Sequence, residues 1–384
     1  MKKGKQTDRQ AEAARIYAET CSVVATAREL GIEYSPCRVL LKRAGVLKPS
    51  AEARLEASPG QFVKATSTLV RIQDDPDGRV LQWVKTDTER ANKVAALEEA
   101  IRRLSKTIAP LPKSKSPKEP AAADLMVAIP MGDPHVGLLA WAAETGADWD
   151  LKIAERVLVG AIEQAVQVSP PAARCLLINL GDYFHTDSQA NETARSGHQL
   201  DVDSRWSKML EVGIRIQRRM IELCLGRFGE VHVDNVRGNH DDHSSVMLSH
   251  VMAAYFSKEP RVKINMTPAL HSYHEWGKCY IGTHHGHTAK IDKLPILMAA
   301  KNPDAWGRTR FRRIYRGHFH HDSLVEFPGV IVETVNTLAA PDAYAAGAGY
   351  LSGRDLKVDV WHKTRGLINR SIIGIEQIER GKRK

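Results

Sequence analysis

Five short segments of this 384-residue chain carry side chains able to hold hard divalent cations. They are Asp133 and His135 in GDPHVG, Asp182 in GDYFH, Asn239 and His240 in GNHD, His285 in HHGH, and His318 and His320 in GHFHH. Each follows a segment that reads as a strand. Oxygen and imidazole donors with no cysteine among them suit two divalent ions held side by side. Such a pair clamps both the attacking and the leaving oxygen of a phosphoryl displacement. The set therefore predicts a phosphoester-cleaving enzyme.

The spacing carries its own expectation. In extended chain, residues i and i+2 point the same way, so Asp133 with His135, and His318 with His320, could each face one ion. Pro134 would help hold its loop extended. Asp182 follows the apolar run Cys175–Ile178 and a glycine, which places a carboxylate at a strand mouth. Asn239 follows the strand-like segment Val231–Val236 and supplies a neutral oxygen. Histidines at metal sites usually have their rings fixed by a further partner, and Asp241 is expected to do this for His240.

In order and content the five motifs resemble those of the calcineurin-like metallophosphoesterases, over roughly residues 125–340. The resemblance implies an α/β fold, a β-sandwich flanked by helices. It implies Asp133, His135 and His320 on a first metal, Asp182 bridging, and Asn239, His285 and His318 on the second. His240 would bind no metal, contact the scissile phosphate and protonate the leaving group, with Asp241 beside it as the other catalytic residue. The implied reaction is in-line attack on phosphorus by a metal-bound hydroxide. The Asp/Asn/His mixture suits manganese, iron or zinc better than magnesium alone. Manganese is favoured because the resemblance is nearest to the nuclease branch, the phage-encoded and DNA-repair exonuclease-like members.

A single histidine is more often a surface or satisfied core residue, and GD or DxH pairs arise by chance. Five ligand sets in order after strands are much harder to obtain that way. For the flanking His284, His287 and His321, substrate contact and simple solvation both remain open. His185, Arg195, His198 and His287 are the candidate substrate contacts; Arg195 and His198 lie on the long polar loop Thr186–Val202. Loops at the carboxyl ends of strands are where α/β folds place such groups.

Composition fits a protein able to bury a sizeable core: 43% of residues are hydrophobic and 26% charged. No apolar run approaches the ~20 residues of a membrane span, and MKKGKQTDRQ has no apolar stretch after its lysines, unlike a secretory signal. Five cysteines, Cys21, Cys37, Cys175, Cys224 and Cys279, lack CxxC spacing and read as reduced residues. A cytoplasmic location, in a bacterial or phage-infected cell, is the expectation, with a homo-oligomer left open.

The net charge of +10 is unevenly placed. Residues 1–120 hold 23 lysines and arginines against 15 acids, and the remainder 32 against 30. A basic segment attached to a phosphoesterase suggests a polyanionic substrate. Within residues 1–50 the pattern predicts helices over Thr7–Thr20, Val23–Leu30 (capped by Ser22) and Pro36–Ala44, the last started by Ser35–Pro36. Two short helices joined through Gly31 are a helix-turn-helix pattern, and the segment looks like the homeodomain-like units of transposases and phage proteins. Arg38, Lys42 and Arg43 would then face DNA from the recognition helix. A small helical bundle for protein contacts is the alternative.

Between residues 51 and 108 a hairpin is expected from Phe62–Val70 and Arg79–Lys85, then a helix over Thr86–Thr107. Trp83 on the hairpin could stack on a base or simply pack. Residues 109–124 read as a Pro/Lys/Ser linker, and 125–384 as the catalytic domain. In that domain a helix is expected at Asp203–Leu225 with Asp203 near its start, paired strands at Val325–Leu338, and a flexible loop at Gly347–Gly353. Three functions compete: a DNA nuclease, a phosphatase or small-molecule phosphodiesterase whose amino-terminal region recruits a partner, and a DNA-binding regulatory protein with an inactive site. The complete ligand set argues against the last.

Overall fold

The computed structural model describes residues 8–20, 22–46, 65–71, 81–87, 121–193 and 197–380. The chain divides into two compact units, Met1–Ala91 and Asn92–Lys384.

The first unit contains helices α1 (Asp8–Thr20), α2 (Val23–Glu29) and α3 (Tyr34–Arg43). They enclose a small core of Ala13, Ala27, Cys37 and Leu41. The Ser22 side chain accepts the Ala25 N–H at 3.3 Å, the cap its position implied. The start of α3 differs from expectation: the chain turns helical at Tyr34 with Glu33 at the cap. Pro36 is therefore in the first turn, where its missing N–H has no helical acceptor to lose. Strands β1 (Ala65–Arg71) and β2 (Leu81–Asp87) pair antiparallel, Ala65 opposite Asp87 and Arg71 opposite Leu81. Thr86 and Asp87 thus belong to a strand, not to the expected helix. The rest of that helix and residues 109–120 of the expected linker lie outside the described residues.

The second unit is built on two sheets. One has six strands in the order β13 (Gly366–Gly374), β12 (Asp355–His362), β3 (Ala122–Met131), β4 (Ala172–Asn179), β5 (Glu230–Asn235), β6 (Val262–Ile264). The other has five, in the order β10 (Ser323–Phe327), β11 (Val330–Thr334), β9 (Phe311–Arg316), β8 (Cys279–His284), β7 (His271–Trp276). The period-two alternation of strands explains the layering. On β3, Met126 and Ala128 face the inter-sheet core with Leu176, Ile178, Ile281 and Tyr315. Val127, Ile129 and Met131 face the other way, onto helices α5 (Leu151–Val168) and α6 (Trp206–Leu225). Beyond the second sheet, Leu294 and Met298 of α8 (Lys293–Lys301) and Ala305 of α9 (Pro303–Arg308) pack on Tyr280, Ile314 and Val332. The result is a helix–sheet–sheet–helix sandwich.

Two details depart from the sequence reading. Helix α6 begins at Trp206 with Arg205 at its cap. Asp203 instead accepts the Leu151 N–H at 3.0 Å and serves the start of α5. The short helices α4 (Ala142–Thr145), α7 (Ser244–Tyr255), α10 (Ala343–Gly347) and α11 (Ile375–Arg380) complete the unit. Among the described residues no helix is long and apolar enough to cross a membrane.

Parallel pairing aligns the strand ends. Met131, Asn179 and Asn235 stand side by side across β3, β4 and β5. His284 and Arg316 do the same across β8 and β9, and Thr334 of β11 pairs with Arg316. All five motifs leave the two sheets at these carboxyl ends.

Candidate metal centre

The loops at the strand ends are not extended. Asp133, His135, Asp182, His318 and His320 have φ of 44°, 43°, 49°, 73° and 53°. These values lie in the left-handed region that side chains other than glycine rarely occupy. The i and i+2 pairs therefore converge through tight left-handed turns, correcting the extended-chain expectation for Asp133–His135 and His318–His320. Backbone contacts hold the turns. The Asp133 carboxylate accepts the His318 N–H at 2.9 Å on both oxygens, and Thr337 Oγ1 donates to the Asp133 carbonyl at 2.7 Å. His135 N–H donates to the Asp182 carbonyl at 3.0 Å.

The motif glycines make room for the ligands. A Cβ on Gly238 would overlap the Asp182 carboxylate and backbone nitrogen, and one on Gly317 would overlap the Asp133 carboxylate. Their role is close approach, which only a missing side chain permits.

Three groups of donors meet among the described residues, one of them His135, His185 and His240; the other two contain carboxylates. Asp133, His135 and His320 form one, with His135 Nε2 3.1 Å from His320 Nε2 and Asp133 Oδ1 3.5 Å from His320 Nε2. Asp182, His285 and His318 form the other. His285 Nδ1–H donates to the Leu180 carbonyl at 2.8 Å, which turns Nε2 toward Asp182 Oδ2 at 3.1 Å and Asn239 Oδ1 at 3.0 Å. An amide oxygen and a carboxylate have no proton to share, so this cluster of acceptors needs a cation. Without metal, a proton on His285 serves. Burial opposes charge there, but the Asp182 carboxylate outweighs it and holds the imidazole at about 9. Burial would likewise raise Asp182, but His285 and His240 keep it well below the usual carboxylate range. Burial drives His135 well below its ordinary value, with His240 and His320 adding to it, so His135 is neutral and free to ligate. The donor set fits two divalent ions: Asp133, His135 and His320 for one, and Asp182, His285 and His318, with Asn239 beside His285, for the other.

Two expected partners act differently. Asp241 does not contact the His240 ring. Its carboxylate accepts the N–H groups of Gly238 and Asp182 at 3.1 Å, Tyr183 at 2.8 Å and Phe184 at 3.2 Å. It ties the GNHD loop to the GDYFH loop. The His240 ring is oriented instead by His185, whose carbonyl accepts Nδ1–H at 2.8 Å. His240 N–H donates to Asp182 Oδ1 at 2.8 Å, and its Nε2 lies 4.0 Å from Asp182 Oδ2.

His185, expected as a substrate contact, is only 1% exposed. Its Nδ1 sits 3.2 Å from His135 Nδ1, and burial followed by the neighbouring His240 pushes it down to about 3. It stands behind the site and positions His135 and His240. His287 lies beside His285 with its ring tilted, centroids 5.1 Å apart, and lines a neighbouring cavity with Lys290, Arg316 and Phe319. His198 is exposed on a loop closed by the Glu192–Gln199 bridge, and Arg195 lies outside the described residues. His284 is fully buried and bonded to Thr288 Oγ1 at 3.0 Å, whereas His321 is exposed and lines the open cleft. Arg38, Lys42 and Arg43 are all exposed on α3.

Sequence reasoning missed Thr337 and Asp187. Asp187 accepts the His243 and Ser244 N–H groups at 2.8 and 2.9 Å, pinning the chain after GNHD. Neither residue sits in a recognisable pattern; both act through backbone atoms distant in sequence.

No protein-family model matches the chain, and neither does any curated protein. Similar solved structures include an archaeal phosphodiesterase (14% identity, TM-score 0.32, 65% of this chain and 99% of that one). Another is a dimetal phosphatase from Danio rerio (8%, 0.35, 65% and 99%). A third is a predicted phosphoesterase from Streptococcus pneumoniae (13%, 0.28, 66% and 99%). Identities and TM-scores this low leave the chemistry to be read from the site itself.

Proposed function

We propose that this chain is a metal-dependent phosphodiester hydrolase acting on nucleic acid, DNA foremost, in the cytoplasm of a bacterial or phage-infected cell. The observation that carries the reading is the gathering of Asp133, His135 and His320 in one donor group and of Asp182, His285 and His318 in another, with His240 Nε2 4.0 Å from the Asp182 carboxylate. Two bound divalent ions would supply Lewis acidity at the phosphoryl oxygens and an acidified water at neutral pH. The mixed donors favour manganese, with iron, zinc or magnesium as alternatives.

The chain's own residues do the rest. His285, fixed by Leu180, keeps Nε2 facing the site. His240, with Nδ1–H committed to the His185 carbonyl, has Nε2 as the atom that hands a proton to the departing oxygen. His185 and Asp241 hold His240 and Asp182 in register across their two loops.

DNA as substrate is supported by the excess of basic residues in 1–120 and by the exposure of Arg38, Lys42 and Arg43 on α3. The test is to incubate the manganese-loaded protein with linear, circular and single-stranded DNA, beside a chromogenic phosphodiester and a phosphomonoester. Cleavage of DNA and of the diester supports the reading; turnover of the monoester alone would make the chain a phosphatase. Replacing Arg38, Lys42 and Arg43 by alanine should flatten the salt dependence of DNA binding by about one log–log unit per lost phosphate contact. An unchanged slope would return α3 to a role in protein contacts.

A further inference from the structure

The donor groups open into a cleft of about 430 Å³ with several aromatic rings in its lining. Its lining combines His135, Asp182, His240, His318 and His320 with Phe319, Tyr344, Tyr350 and Leu351. Tyr344 and Tyr350 are 73% and 64% exposed, with ring centroids 6.4 Å apart. Large aromatic side chains are seldom left so open without a partner.

The backbone beneath these rings is held in place. Asp342 caps α10 by accepting the Ala345 N–H at 2.7 Å, and the Tyr350 N–H returns to the Ala345 carbonyl at 2.9 Å. Phe319 sits between two ligand histidines and is 43% exposed, with the Arg316 guanidinium 4.5 Å from its ring centroid on one face.

Charge decides what can use such a lining. Among the cleft residues there is no lysine, and the one arginine, Arg354, is bound to the Leu338 carbonyl through Nε and Nη2 at 3.0 and 2.7 Å. A duplex presents phosphates outward and keeps its base faces stacked inside, so these rings have little to offer it. An unpaired strand presents flat base faces, and these stack on aromatic rings regardless of sequence.

Building on the hydrolase reading above, we propose that Tyr344, Tyr350 and Phe319 form a stacking platform for unpaired bases beside the scissile phosphate. The substrate is then single-stranded nucleic acid, or a duplex end that has frayed.

The test uses the full-length, manganese-loaded His240→Ala protein, which holds the strand without efficient turnover, and a short oligonucleotide carrying 2-aminopurine. Single strand should bind with quenched fluorescence, and the same sequence in duplex should bind more weakly without quenching. Tyr344→Ala and Tyr350→Ala should each weaken single-strand binding at least about fivefold, while Tyr344→Phe and Tyr350→Phe stay within about twofold. Alanine variants within about twofold of the parent, or a duplex bound and quenched equally, would overturn the platform. Hydrolysis of a small chromogenic phosphodiester by the unsubstituted protein reports on the hydrolase reading separately. Ring-dependent binding without such turnover would sink the hydrolase and leave the platform standing; turnover without ring dependence would do the reverse.

Discussion

The carboxylate of Asp241 accepts the backbone N–H of Asp182 at 3.1 Å, so the last residue of GNHD fixes the peptide that carries a buried carboxylate of the donor cluster. Its four N–H partners come from two loops far apart in sequence, and all are fully buried with it or nearly so. Asp241→Asn presents an amide NH2 to donors that need an acceptor. We expect a loss of roughly 2–4 kcal/mol in urea unfolding, because a buried donor left without a partner bears its full desolvation penalty. A loss under roughly 0.5 kcal/mol would mean the loops are held together elsewhere.

The proposed sharing of Asp182 between two ions predicts a shared failure. The unsubstituted protein should take up about two divalent ions per chain, and Asp182→Asn should lower occupancy at both positions. Gly238→Ala should do the same without replacing a donor residue, because the added methyl overlaps the Asp182 carboxylate. Elemental analysis after manganese saturation checks both. One ion per folded, unsubstituted chain would rule out a dinuclear centre.

His240 is tied to the site by its backbone N–H on Asp182 Oδ1 and by its ring on the His185 carbonyl, and it lies outside the two carboxylate-containing donor groups. His240→Ala should therefore keep its metal content and lose ~10²–10⁴-fold in phosphodiester turnover, the usual worth of a positioned general acid. Steady-state kinetics alongside elemental analysis separates the two effects. Metal loss, or full activity, would remove the proton-donor role.

A prediction far from the site concerns acid stability. Burial would raise the Glu230 carboxyl, but hydrogen bonds from Lys263, Arg174 and His232 outweigh it and hold the group at about 2. A carboxyl depressed in the folded state stabilises above its unfolded value of about 4.5, and that stability is lost as pH falls through about 2. With the Glu230 side chain 26% exposed, solvent screening reduces the effect, and Glu230→Gln should cost about 1 kcal/mol at neutral pH. The gap between variant and parent should close as unfolding is measured toward pH 2. A gap independent of pH would assign the effect to packing.

The residues that cluster at the strand ends were legible because metal chemistry admits few side-chain types and the strand ends set where they emerge. Asp133, Asp182, Asn239, His285, His318 and His320 could each be picked from their motifs. Their backbone could not: nothing local to Asp133 or His320 announces a left-handed turn, which is imposed by contacts such as Asp133 with His318 N–H. Asp241 and Asp203 were misread for one reason. Each sits beside a plausible local partner, yet its carboxylate serves a segment distant in the chain. Pro36 misplaced a helix start by two residues because a proline is tolerated anywhere in the first turn. The Tyr344–Tyr350 pair gave no signal, since it rises from an Ala/Gly-rich stretch whose fold depends on the Asp342 cap.

The left-handed turns at the metal ligands also set a direction for evolutionary drift. Each of the five places an aspartate or histidine where glycine is more at ease, at about 1 kcal/mol apiece. Selected for thermal robustness alone, a descendant would trade imidazole for glycine at a position such as His320, and would lose a cation donor in doing so. Metal-free His320→Gly protein should therefore melt higher than its metal-free parent, the mark of a chain whose chemistry and endurance pull against each other.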